Sequence, residues 1–254
     1  MKKILALVCS LILLVSGVAV YAGCSVDDDT IVVGVTNYPP MDYPDESGEW
    51  IGFDAELAEK AFGELGYEVE FKEIVWETKI VSLNSGEIDV IWNGMTVTEE
   101  LQEAILLSEP YMVNQQVLVI RTEDADKYTS QADLAEAGTI AFEGGSAADN
   151  ILSEMEGISE DQLLSMDKQA DTFLEVKSGS SDVAVVDIAL AKDMAGQGDF
   201  TDLMYVDVGF ASEDFAVGFR KEDTELCAQI DELLAKYKED GTMDELGEKY
   251  GVAV

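Results

Sequence analysis

The sequence has no histidine, three cysteines, four prolines and only 15 basic residues among 254. Without histidine there is no Ser–His–Asp triad, no Cys–His dyad and no histidine-ligated metal site. Three cysteines cannot form a disulfide framework or a four-cysteine zinc site. Few bases against 53 Asp and Glu give a formal charge of −38. A surface that acidic repels phosphate backbones, so nucleic acid is not expected as a partner. The acidic runs Asp27-Asp28-Asp29 and Asp45-Glu46-Ser47-Gly48-Glu49 lack the spaced ligands of an EF-hand loop. No metal and no cofactor are expected. No segment is rich enough in Pro or Gly/Ser to act as a flexible linker.

What is present begins with an export signal. Lys2 and Lys3 precede an apolar run from Ile4 to Val20, followed by Ala22, Gly23 and Cys24. A basic start, an apolar stretch and small residues at a junction define a secretory leader over residues 1–23. Cys24 at that junction resembles a bacterial lipobox cysteine, whose thiol takes lipid and becomes the mature N-terminus. Tyr21 replaces the Leu usual three residues earlier. Residues 24–30 then form a lipidated Cys and a short acidic tether, which places the folded body within ~20 Å of the headgroups. The expectation is a chain anchored by lipid to the extracytoplasmic face of the cell membrane. Without the leader's two Lys, 13 bases face 53 acids.

Beyond the tether, strands alternate with helices. Ile31–Val35 is a buried apolar strand. Phe53, Leu57, Ala58, Ala61, Phe62 and Leu65 recur at helical spacing, with Gly66 as the stop. Val69 and Phe71 mark a strand, 76–85 a helix and 89–93 a strand. Further strands are predicted at 116–120, 139–142, 182–186, 204–206 and 215–219, and helices at 146–155, 170–177, 188–194 and 224–238. Cys227 lies beside the core stripe of that last helix, as a small apolar filler. This alternation specifies an α/β fold with mainly parallel sheets. One echo points to two lobes: Asn84-Ser85-Gly86-Glu87-Ile88-Asp89-Val90 recurs as Lys177-Ser178-Gly179-Ser180-Ser181-Asp182-Val183. Ligands of open parallel sheets bind beyond the carboxyl ends of the strands. The two copies run into Asn93-Gly94-Met95-Thr96 and into Asp187, so both would face one cleft.

At these residues a resemblance becomes specific. Gly52-Phe53-Asp54-Ala55-Glu56-Leu57-Ala58, Trp76, Asn93-Gly94-Met95-Thr96-Val97-Thr98-Glu99, Ser108-Glu109-Pro110-Tyr111, Gly145-Ser146-Ala147-Ala148-Asp149 and Val185-Val186-Asp187 stand in the order seen in the polar amino-acid family (family 3) of bacterial solute-binding proteins. Val217-Gly218-Phe219-Arg220-Lys221 and Asp240-Gly241-Thr242-Met243 extend the match toward the C-terminus. The resemblance implies a two-lobed, type II periplasmic-binding-protein-like fold joined by two hinge strands. Residues 31–118 plus 210–254 would form lobe 1, and 119–209 lobe 2. It also implies a monomeric, non-catalytic receptor that passes an amino acid or close analogue to an ABC transporter permease.

A free amino acid is a zwitterion, so a dry cleft must supply donors for its carboxylate and acceptors for its ammonium. Thr96-Val97-Thr98-Glu99 has capping-box spacing, so Thr96 is expected to open a helix whose N–H groups favour an anion. Gly145-Ser146 opens a second. By resemblance, Asn93, Gly94, Met95, Thr96, Gly145 and Ser146 would meet the carboxylate and Asp187 the ammonium. Tyr38, Met41, Tyr43 and Trp76 would wall the side-chain pocket. Thr96 and Ser146 can equally be plain N-caps, Asp187 the cap of the following helix, and the aromatics ordinary core.

The departure from the family lies at Leu101, where most members carry the arginine that grips the ligand carboxylate. Lys79, on the same helical face as Trp76, is the candidate substitute, against the alternative of a solvated surface charge. A cationic or polyamine-like ligand without that carboxylate is the other way to read Leu101. An enzyme on the same scaffold, with Asp187 or Glu143 as general acid or base, is the competing functional class.

Overall fold

The computed structural model describes residues 30–253; the leader, Cys24 and the tether up to Asp29 lie outside these residues. The first lobe opens with β1 (Thr30–Val35), a ribbon of β2 (Tyr43–Pro44) and β3 (Trp50–Ile51), and α1 (Phe53–Leu65). It continues with β4 (Glu68–Glu73), α2 (Lys79–Asn84), β5 (Val90–Ile91), α3 (Glu99–Ala104) and β6 (Leu106–Leu107). The long β7 (Met112–Arg121) crosses to the second lobe. That lobe holds β8 (Ile140–Glu143), α4 (Ala147–Glu154), β9 (Leu163–Met166), α5 (Thr172–Ser178), β10 (Val183–Asp187), α6 (Ile188–Met194) and β11 (Leu203–Val206). β12 (Ser212–Phe215) crosses back, and β13 (Gly218–Phe219), α7 (Thr224–Asp240) and α8 (Thr242–Tyr250) complete the first lobe.

The sheet of the first lobe has the order β4-β1-β5-β13-β6, with β4, β1 and β5 parallel and β13 antiparallel to both neighbours. β1 is covered on both faces, so its run of Val and Ile has no polar alternation; the edge strand β4 alternates Val69 and Phe71 with Glu. The second sheet has the order β11-β7-β10-β8-β9. Its β10, β8 and β9 are parallel, while β7 runs antiparallel to β10 and β11. β7 serves two partners in succession. Met112–Gln115 pair with β12, and Gln116–Ile120 pair with β10. These two antiparallel strands are the connections between the lobes.

The sequence echo corresponds to equivalent units in the two sheets. Gly86 and Gly179 both adopt positive φ after a helix, and the following strands, β5 and β10, are interior strands of their sheets. The first lobe packs Phe53, Phe62, Trp92 and Phe219 beneath α1 and α7. The second packs Leu118, Ile140, Leu152 and Val185 on one face of its sheet. Cys227 is buried in α7, and burial pushes its thiol up to about 11, as an inert filler requires.

Four details differ from the sequence expectation. The predicted strand over 215–219 is broken, because Ala216 N–H donates to the Met95 carbonyl and Val217 N–H to Ser108 Oγ instead of to a sheet neighbour. The predicted helix over 76–85 begins as a 3-10 turn, Trp76–Thr78, before α2. Thr96 does not open a helix. Thr98 is the N-cap of α3, its hydroxyl accepting from Leu101 N–H at 3.2 Å, while Thr96 makes a β-bridge with Phe215. Two threonines precede the helix, and pairing with β12 takes the first, leaving Thr98 to cap. α8, entered through Gly241 at φ 84°, had no counterpart in the sequence reading.

Candidate functional site

The carboxyl ends of β1, β5, β8 and β10 converge between the lobes, as parallel topology dictates. From the first lobe, the end of β5 is fixed by Asn93. Its Oδ1 accepts from Thr36 N–H at 3.0 Å and Thr36 Oγ1 at 2.8 Å, and its Nδ2 donates to Asp42 at 2.6 Å. Gly94 sits at φ 55° and donates its N–H to Asp54 Oδ2 at 2.6 Å; a Cβ there would lie 2.6 Å from the Tyr38 ring. Asp54 also accepts from Tyr111 Oη at 2.8 Å. Burial is the main cause that raises Asp42 and Asp54, the latter to about 7. Asn93, Gly94, Asp42 and Asp54 thus hold the floor on which Tyr38 lies.

From the second lobe comes Asp187, the last residue of β10, 6 % exposed. Its carboxylate accepts from Asn114 Nδ2, from Gln116 Nε2 at 2.7 Å and from Gln169 Nε2 at 2.6 Å. Its own N–H donates to Gln169 Oε1 at 2.8 Å. Burial pushes its pKa above the ordinary carboxylate range, and the three amides oppose that. It stands at the N-cap position of α6 but makes no side-chain cap, so the capping alternative does not hold. Behind it, Glu213 of β12 accepts from Thr96 Oγ1 at 3.1 Å, Asn114 at 3.2 Å and Gln116 at 3.0 Å. A continuous polar chain therefore runs from Thr96 in one lobe, through both connecting strands, to Asp187 in the other.

These groups enclose an inner chamber of about 20 Å³, lined by Tyr38, Trp76, Thr96, Glu143, Gln169 and Asp187 among others. That is room for one or two water molecules, so an amino acid enters only if the lobes part. An adjoining outer chamber of about 220 Å³ shares Trp76, Thr96 and Ser146 and is lined also by Lys79, Met95, Leu101 and Gly145. Lys79 is 6 % exposed, contrary to a solvated surface charge. Its Nζ lies over the Trp76 ring, 4.8 Å from the centroid, and donates across the cleft to the Gly145 carbonyl at 2.8 Å. Burial pulls its pKa down from the usual lysine range, with Glu143 opposing. Ser146 caps α4 by accepting from Asp149 N–H at 3.4 Å, and Gly145 precedes it at φ 70°.

The structure thus gathers Tyr38, Trp76, Lys79, Asn93, Gly94, Met95, Thr96, Gly145, Ser146 and Asp187 around one cleft. It does not bring Met41 or Tyr43 to it. Met41 is fully buried in the first lobe's core, and Tyr43 sits in the β2–β3 ribbon near Asp193 and Glu56. Tyr38-Pro39-Pro40-Met41-Asp42 folds back on itself, Tyr38 N–H donating to Asp42 O at 2.7 Å, and this turns the three side chains different ways. Gln169, Glu213, Asn114 and Gln116 escaped the sequence reading. Asn114 and Gln116 stand two apart in an otherwise apolar strand, so they share a face; that was the available signal. Gln169 left none. Neither arginine enters the cleft. Arg121 binds Asp124 and the carbonyls of Val176 and Ser181, and Arg220 binds Asp89 and Asp223.

Comparison with known proteins gives a consistent picture. The profile of the bacterial extracellular solute-binding proteins, family 3, matches residues 31–253. The ABC transporter glutamine-binding protein GlnH of Bacillus subtilis (strain 168) is 31 % identical over 231 residues, 88 % of this chain and 82 % of that one. An ancestral arginine-binding protein bound to arginine superposes with a TM-score of 0.81 at 32 % identity, covering 87 % of this chain and 98 % of that one. An ABC uptake transporter substrate binding protein from Streptococcus pneumoniae with bound histidine gives a TM-score of 0.81 at 29 % identity, covering 88 % and 93 %.

Proposed function

The chain belongs to family 3 of the bacterial extracellular solute-binding proteins, and on that premise we propose that it is the substrate-binding component of an ABC transporter. It captures an amino acid or close analogue between lobes 31–118 plus 210–254 and 119–209, and delivers it to a membrane permease. The observation that carries this reading is Asp187. A buried carboxylate with three amide donors and, among the described residues, no cationic partner is a ready acceptor for an ammonium group. Trp76 and Tyr38 supply apolar walls, and the N-terminus of α4 with Lys79 supplies donors for an anionic end where the family arginine is replaced by Leu101. Closure works by hinge motion at β7 and β12. The protein is monomeric and performs no chemistry on its ligand.

Anchoring follows from residues 1–30. Cys24 carries lipid, palmitate among the acyl chains, and holds the receptor on the extracytoplasmic face; two or three chains anchor stably. Mass spectrometry of the membrane fraction decides this, an unmodified Cys24 thiol or a retained leader counting against it.

The receptor reading is tested on the lipid-free domain with a panel of the twenty amino acids, ornithine and simple polyamines. One or a few raise the melting temperature and shrink the radius of gyration in solution scattering. A panel that moves neither quantity refutes it, and turnover of a prephenate-type substrate or peptidoglycan, lost in Asp187→Asn, would replace it with an enzyme.

A further inference from the structure

Glu143 is the last residue of β8, beside β10 in the same sheet, so its carboxyl group and that of Asp187 emerge from neighbouring parallel strands into one chamber. Gln169 links them. Its side-chain amide donates to Asp187, and its backbone N–H donates to Glu143 Oε1 at 3.2 Å. The two acids are unequally supplied. Asp187 has three side-chain amide donors. Glu143, 4 % exposed, has that one backbone donor.

Among the described residues no ion pair reaches Glu143, Asp187 or Glu213. Lys79 is the one cation lining the cleft among the described residues, and its ammonium is held by the Gly145 and Trp76 carbonyls. The same chamber contains the Tyr38 hydroxyl, which is buried without a hydrogen-bond partner of good geometry although it lies beside Asp187. A single ammonium group meets Asp187 and leaves Glu143 protonated in a dry site, with no cation to pair with it.

We propose that Glu143 is a second acidic anchor of the cleft, so that the preferred ligand carries two cationic nitrogens on a short alkyl spacer, one meeting Asp187 and the other Glu143. This rests on the receptor reading above and names the ligand class of the same site. The class includes basic amino acids and free diamines. A free diamine also accounts for Leu101, since it has no carboxylate for an arginine to grip.

The capture has a proton balance. Burial, then the nearby Asp187 charge, pushes Glu143 up to about 8, while Lys79 and the Gln169 donors pull it down. The carboxyl group therefore holds its proton at neutral pH before the cation arrives. Other acids near this end of the cleft are Glu77, Glu100 and Asp149, which act on Lys79, and Glu213 behind Asp187. An arriving ammonium already carries its proton, so ionising Glu143 releases one proton to buffer for each ligand bound.

The test is titration calorimetry of the lipid-free protein at pH 7 in two buffers of different ionisation enthalpy, with putrescine, L-ornithine and L-norvaline. L-Norvaline is ornithine without its side-chain amine. The expected result is that putrescine or ornithine binds at least tenfold more tightly than norvaline and releases close to one proton. In Glu143→Gln, an isostere of the protonated acid, that release disappears and the preference falls at least tenfold. Glu143→Asp, which keeps the charge, retains proton release, and melting curves of both variants report their folding. Putrescine binding in preference to ornithine identifies the diamine source, and the reverse identifies the amino acid. Norvaline bound as tightly as ornithine, or unchanged proton release in Glu143→Gln, overturns the anchor and leaves the receptor reading standing. No binding of putrescine, ornithine or norvaline overturns the anchor, and the receptor reading falls with it only if the full amino-acid and polyamine panel also leaves the melting temperature and radius of gyration unmoved.

Discussion

Lys79 Nζ in the first lobe donates to the carbonyl of Gly145 in the second at 2.8 Å, a direct hydrogen bond across the cleft. A buried ammonium on a carbonyl is a charge-assisted bond worth about 1.5–3 kcal/mol. In Lys79→Met the stem's packing on Trp76 is kept and the bond is lost. The dissociation constant for whichever amino acid binds the wild type should rise about 10- to 100-fold in calorimetry. A variant that binds as tightly as the wild type would deny Lys79 any part in closure.

Gly145 also decides how closely the lobes meet. Its φ is 70°, and a Cβ there would lie 2.8 Å from the Glu77 Cα on the opposing lobe, a backbone atom that cannot rotate aside. Gly145→Ala is expected to leave the ligand-saturated protein with a larger radius of gyration than wild type. The left-handed backbone adds about 1–2 kcal/mol of strain. Identical scattering curves for both proteins would show that the loop yields.

Asp187→Asn replaces an acceptor with a group that turns an N–H₂ toward three amide donors. Loss of a buried ammonium's partner typically costs about 2–5 kcal/mol. Affinity should fall by two orders of magnitude or more, read by calorimetry or by loss of the ligand-induced melting shift.

Stability should fall as pH rises, unlike that of most proteins. Glu143 at about 8 and Asp54 at about 7 lie above their unfolded values, and Asp42, Asp187 and Glu213 are raised too. A raised acid binds more protons folded than unfolded. Its contribution is complete below the unfolded value near pH 4 and is lost as pH climbs through the folded one. The high negative charge acts in the same direction. The ligand-free melting temperature should therefore be higher at pH 5.5 than at pH 8.5. Equal values would mean that these carboxyls ionise without penalty.

Arg121 is a structural pin of the second lobe rather than a ligand clamp. Its guanidinium binds Asp124 and donates to the Val176 and Ser181 carbonyls at 2.9 Å each. Arg121→Met strands those partners and should cost about 3 kcal/mol, seen as a lower melting temperature. Ligand affinity should stay within twofold of wild type; a large loss would place Arg121 in the binding machinery.

Much of the fold was legible because period and punctuation agree. The apolar run of β1, the helical stripe of α1 and its Gly66 stop each carry a local cause. The site was legible where a strand's end carries a polar residue, as at Asn93 and Asp187. Thr96 and Met41 were misplaced for one reason. A residue in a connecting segment is oriented by its partner elsewhere in the chain: β12 for Thr96 and, for Met41, the Asp54 N–H at the start of α1, which donates to the Met41 carbonyl. Spacing carries no record of such partners.

The sequence by itself determined the alternation of strand and helix, the duplicated αβ unit, the acidity and the absence of histidine chemistry. These are properties of composition and local periodicity. Only the tertiary structure decided that Lys79 is buried across the cleft, that both arginines are spent on lobe stability, and that Glu143 shares a chamber with Asp187. Pairings 18 to 117 residues apart, such as Gln169 with Asp187 and Thr96 with Glu213, arise from packing two sheets through two crossing strands. Burial at those meeting points, rather than residue type, sets which charge is free to greet a ligand.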